Sequence, residues 1–107
     1  MSRKNKYRNV KTEYRGRVYA SKLEADYAIN LDWKKHTGEI IEWAAQVRIP
    51  LKVNDIKICD YIVDFVVIDK NDKRTFVECK GYETKEYKLK AKLVRALYPE
   101  YNFIVVK

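Results

Sequence analysis

Glu78 and Lys80 stand two residues apart in Phe76-Val77-Glu78-Cys79-Lys80-Gly81. On a strand that spacing projects both from one face, with Val77 and Cys79 on the other. Upstream, Asp64 interrupts the apolar run Tyr61-Ile62-Val63-Asp64-Phe65-Val66-Val67-Ile68. An ion in such a strand is costly unless it is paired or binds a metal, which makes Asp64 a candidate ligand. Carboxylates that hold Mg²⁺ or Mn²⁺ can polarise a scissile phosphate and help generate hydroxide, with a lysine near the attacking water. Two acids and one lysine on adjacent strands meet that need. Taken alone, however, Glu and Lys two apart more often form an ordinary cross-strand or surface salt bridge. The surrounding elements have to separate the two readings.

Ser21 to about Lys35 reads as a helix, opened by the S-x-x-E spacing of Ser21 and Glu24 and ended by Thr37-Gly38. Three segments rich in Val, Ile, Tyr and Phe follow at Gln46–Leu51, Asp60–Ile68 and Thr75–Lys80, separated by Asn54-Asp55 and Lys70–Lys73. A second helix is predicted from about Lys85 to Tyr98, stopped by Pro99, and Asn102–Val106 returns as a strand. The link between the last two strands is long enough for a crossover, which permits parallel pairing in a mixed sheet. Before the first helix, Val10–Tyr14 and Arg17–Tyr19 are spaced to pair about Arg15-Gly16. The expected fold class is α/β: a basic arm and hairpin over residues 1–20, then a core over 21–107 in the order α-β-β-β-α-β, with about four strands flanked by helices.

Helix Glu24, strand Asp64, strand Glu78-x-Lys80, then Gly81 and a helix follow the element order of PD-(D/E)XK nucleases, which the chain resembles. More closely, it is similar to phage Holliday-junction resolvases of the endonuclease I type and to a related phage family of unknown function. Ser21–Glu24, Gln46–Leu51, Asp60–Phe65, Phe76–Gly81 and Tyr98–Val106 carry the resemblance. Val63 stands where the proline that names the motif would be, a substitution common in that superfamily. The resemblance implies a restriction-endonuclease-like core. It also implies that Asp64 and Glu78 bind Mg²⁺ or Mn²⁺ with the main-chain carbonyl of Cys79, that Lys80 orients or activates water, and that Glu24 completes the acidic cluster. Glu24 also has a structural reading as the glutamate of a capping box. At about 100° per residue it falls beside Leu31, on the side expected to face the sheet with Leu23 and Tyr27.

Residues 1–17 carry six of the eight net positive charges, Arg3, Lys4, Lys6 and Arg8 among them, which suits a polyanionic partner or a solubilising tail. Lys85, Lys88, Lys92 and Arg95 recur at helical spacing and gather on one face, expected to contact phosphates. Leu89, Leu93, Ala96 and Leu97 form the arc expected to pack on the sheet. His36 is the only histidine, so a histidine-based metal site or triad is disfavoured. The three glycines form no phosphate-cradling loop, so no nucleotide cofactor is expected. Two cysteines in apolar segments give no zinc or disulfide framework, and no stretch has the length of a membrane span or the pattern of a signal peptide; the cytoplasm is the expected compartment.

The function expected is metal-dependent cleavage of branched DNA, a Holliday junction by resemblance. Its alternatives are a sequence-specific nicking or restriction endonuclease and a DNA-binding protein of nuclease fold that does not cut. Paired incision implies a homodimer, and Ile29 and Trp33, on the side of the first helix opposite Leu23 and Tyr27, offer a stripe that a partner subunit or the chain's own hairpin would cover.

Overall fold

In the computed structural model, which describes residues 10–79 and 83–107, the first element is a small hairpin. β1 (Thr12–Tyr14) and β2 (Arg17–Tyr19) pair antiparallel about Arg15 and Gly16. Both turn residues hold positive φ, 52° and 80°, as a two-residue type I′ turn requires. Helix α1 (Lys22–His36) starts at Ser21, whose hydroxyl accepts the Glu24 amide at 3.2 Å. It ends where Gly38 takes φ 83°. There the Gly38 amide donates to the Lys35 carbonyl and the Glu39 amide to that of Lys34, satisfying two of the last carbonyls in a Schellman ending.

β3 (Ile40–Val53) and β4 (Ile56–Asp69) form a long antiparallel ribbon. Both strands begin earlier than the sequence pattern predicts. Asn54 and Asp55 each hold positive φ, so the turn is tight enough for pairing to run up to Val53 and Ile56. Exposed residues such as Lys52, Ile56 and Lys57 therefore join the ladder. β5 (Arg74–Cys79) pairs antiparallel with β4, and after helix α2 (Lys85–Leu97) the strand β6 (Asn102–Val106) lies parallel to β5. The fold is α/β, with a mixed four-stranded sheet in the order β3-β4-β5-β6.

Neighbouring residues of β5 point to opposite faces. Val77 and Cys79 pack with Ala25, Ala28 and Leu31 of α1, whereas Phe76 packs with Tyr87, Ala91 and Val94 of α2. The helices thus cover opposite faces of the sheet. On the α1 side the fully buried Phe65 meets the rings of Tyr19, Tyr27 and Trp43 at centroid distances of 6.1, 5.3 and 5.8 Å. On the α2 side Phe76 stacks on Tyr101 at 4.5 Å.

Two expectations about helix faces need correction. On α2, Leu89 is 69% exposed and Ala96 also faces solvent. Tyr87 takes the contact at the start of the helix, and this rotates the buried arc to Tyr87, Ala91 and Val94, leaving Leu93 and Leu97 partly covered. On α1, the hairpin β1–β2 does not cover the second apolar stripe: Trp33 is 62% exposed. The hairpin is anchored instead by Tyr19 in the core and by the Tyr14 hydroxyl, which donates to Asp32 at 2.6 Å. Among the described residues, no helix is long and apolar enough to cross a membrane.

Candidate active site

The β4–β5 ladder runs from Ile68 and Arg74 to Phe65 and Val77 and stops, while β5 continues beside β6 through Glu78 and Cys79. Asp64 and Glu78 lie just past the fork where β4 parts from β5 while still paired with β3. Here the Cys79 amide donates to Asp64 Oδ2 at 2.7 Å, a charge-assisted bond that fixes the carboxylate against the end of β5. Glu78 is 2% exposed and accepts the Tyr61 hydroxyl through Oε2 at 2.6 Å, which offsets part of the cost of placing a carboxylate there. Glu24 is buried in the first turn of α1, next to Ala25, which shares a core cluster with Cys79.

Burial first, then the charges of Asp64, Glu24 and Glu78 in that order, together push the Cys79 thiol up to about 12. A thiol held protonated at neutral pH is not a nucleophile, so Cys79 can offer the site its main chain rather than its sulfur. Burial also raises the Tyr61 hydroxyl, followed by its bond to Glu78 and the charge of Glu78. It remains a hydrogen-bond donor at neutral pH.

The carboxylates of Asp64 and Glu78 and the Cys79 carbonyl are hard oxygen donors, the chemistry that Mg²⁺ and Mn²⁺ prefer. Among the described residues there is no compact group of three or more His, Cys, Asp or Glu side chains able to hold an ion. Mg²⁺ is commonly held by one or two carboxylates and completed by water and substrate phosphate, and the donor types at this fork are of that kind. Lys80 lies outside the described residues, as do Arg3, Lys4, Lys6 and Arg8.

Lys85, Lys88, Lys92 and Arg95 are all exposed on α2. Lys88, Lys92 and Arg95 line a groove of about 180 Å³ between α2 and β6 with Glu83, Tyr87 and Val105. Val105 is the β6 partner of Glu78, so the basic groove abuts the strand position of that carboxylate. Arg95 lies over the Phe103 ring at 4.4 Å, a cation–π contact that holds the guanidinium near the groove.

Sequence reasoning missed Tyr61, the donor to Glu78. Its only signal is that a tyrosine in an otherwise apolar strand needs a partner for its hydroxyl. His36 is exposed and meets the Trp33 ring edge-on at 6.0 Å.

No curated protein matches the chain. The model of a family described as "Protein of unknown function (DUF1064)" matches residues 4–107, a span that contains the hairpin, the fork and the basic helix. The chain is a member of the DUF1064 family.

Proposed function

We propose that this protein is a divalent-metal-dependent endodeoxyribonuclease of the PD-(D/E)XK type that acts on branched DNA, a four-way junction above all. The observation that carries this reading is the fork itself, where Asp64 is bound to the Cys79 amide beside the buried Glu78. Asp64 and Glu78 would hold Mg²⁺ or Mn²⁺ with the Cys79 carbonyl, and the ion would supply a polarised phosphate and an acidified water. Tyr61 keeps Glu78 oriented by donating to Oε2. Glu24 adds negative charge from α1, and Lys80 stands next in sequence to position the water. The α2 groove supplies cations for the phosphates flanking the cut. Each chain has one such fork, so paired incision takes a homodimer, for which exposed Ile29 and Trp33 offer a contact. The proposed compartment is the cytoplasm, that of the host cell if the protein is phage-encoded.

The test is incubation of purified protein with Mg²⁺ or Mn²⁺ and matched four-way, forked, linear duplex and single-stranded DNA. Cutting of the four-way and forked species in preference to the linear ones is expected. Cutting of linear duplex at fixed sequences would point to a nicking or restriction enzyme. Binding without cutting would overturn the enzymatic reading.

A further inference from the structure

Gln46 lies in the middle of β3 with φ 53°. The other non-glycine residues of positive φ among those described, Arg15, Asn54, Asp55 and Asp72, lie in turns or between strands. A residue with a Cβ adopts this backbone inside a strand only at a cost. The ladder skips one pair at the same place without changing register: Ala45 pairs with Phe65 and Val47 with Val63, but the intervening Gln46 and Asp64 are not among the partners.

Side-chain direction also reverses there. On β3, Trp43 and Ala45 pack with the α1 cluster, whereas Val47, Ile49 and Leu51 pack with the α2 cluster. On β4, Phe65 and Val67 belong to the first and Tyr61 and Val63 to the second. All these positions are odd-numbered, and an unbroken pleat would keep each strand's set on one face. The ribbon therefore turns over at Gln46 and Asp64. After the turn, Tyr61 is on the side of Glu78 and reaches it, and Asp64 reaches the Cys79 amide.

We propose that Gln46 is a positioning residue whose left-handed backbone turns the β3–β4 ribbon over, setting Asp64 against Cys79 and Tyr61 against Glu78. The functional meaning of that placement rests on the metallonuclease reading. The backbone rather than the amide does this: the side chain is exposed, and its Oε1 accepts a 3.3 Å bond from Arg17 at the hairpin. Glycine and asparagine, which take positive φ readily, preserve the turn, whereas valine opposes it.

Amide hydrogen exchange followed by NMR reads this directly, because the Cys79 amide reports its bond to Asp64. Gln46→Gly and Gln46→Asn are expected to protect Cys79 as the wild type does. Gln46→Val is expected to exchange it about 10-fold faster, toward the rate in Asp64→Ala, with the β4–β5 amides unchanged. Wild-type protection in Gln46→Val would overturn the proposal. If Gln46→Val does not fold, the other two variants decide, and loss of Cys79 protection in either overturns it. Mn²⁺ titration of the wild type separates the two claims: failure to bind defeats the metallonuclease reading and leaves the Cys79 result standing.

Discussion

Asp64→Asn and Glu78→Gln are each expected to lower the rate of junction cleavage by about 1000-fold or more while junction affinity stays within a few-fold of wild type. A metal that polarises the phosphate and acidifies its water contributes several kcal/mol to the transition state, and about 4 kcal/mol corresponds to that factor. Affinity should survive because phosphate binding comes from cations rather than from the carboxylate fork. The amides suit the test better than alanine does. The Gln side chain keeps an oxygen for the Tyr61 hydroxyl, and the Asn side chain keeps one for the Cys79 amide. Alanine at Glu78 would leave a buried hydroxyl without its acceptor, at a cost of about 1–3 kcal/mol. Single-turnover cleavage and gel-shift affinity, measured beside a thermal melt, check the prediction. A well-folded variant that cuts at the wild-type rate would remove its carboxylate from the chemistry.

Neutralising Lys88 and Lys92 together is expected to weaken DNA binding and flatten its salt dependence. Both line the groove beside Glu78's partner strand. Each phosphate contact contributes about 0.9 to the slope of log K against log salt on duplex DNA. Loss of two contacts therefore lowers the slope by about 1.8, and affinity near physiological salt falls on the order of 10-fold or more. Substituting the exposed His36 should change neither quantity. An unchanged slope in the double variant would identify the stripe as ordinary solvated surface.

Element order was legible wherever a local residue enforces it. Ser21 caps α1, Gly38 ends it, Arg15-Gly16 turns the hairpin, and the strand from Asn102 to Val106 lies where the pattern predicts. Strand length was less legible because a tight turn at Asn54-Asp55 extends pairing into residues whose side chains stay exposed. Helix faces were harder still. On α2 the apolar spacing set Leu89 and Ala96 inward, yet both face solvent and Tyr87 is buried, whereas on α1 it set Glu24 toward the sheet, where it is buried, and Trp33 on the far side, where it is exposed. Asp64 was visible because an acid in an apolar run is conspicuous. Its orientation was not, since the break opposite it falls at Gln46, a residue type that carries no turn signal. Tyr61's reach to Glu78 depends on the same reversal of the ribbon. Long-range geometry of this kind leaves no mark in local spacing.

In the proposed mechanism Asp64 and Glu78 together hold a divalent ion. Titration of Mn²⁺ into the protein, followed by the paramagnetic resonance signal of the free ion, tests it without any assumption about substrate. The wild type is expected to remove ion from solution, and the double variant Asp64→Asn with Glu78→Gln to bind it at least about 10-fold more weakly while remaining folded. Identical free-ion signals for the two proteins at every concentration would contradict the account.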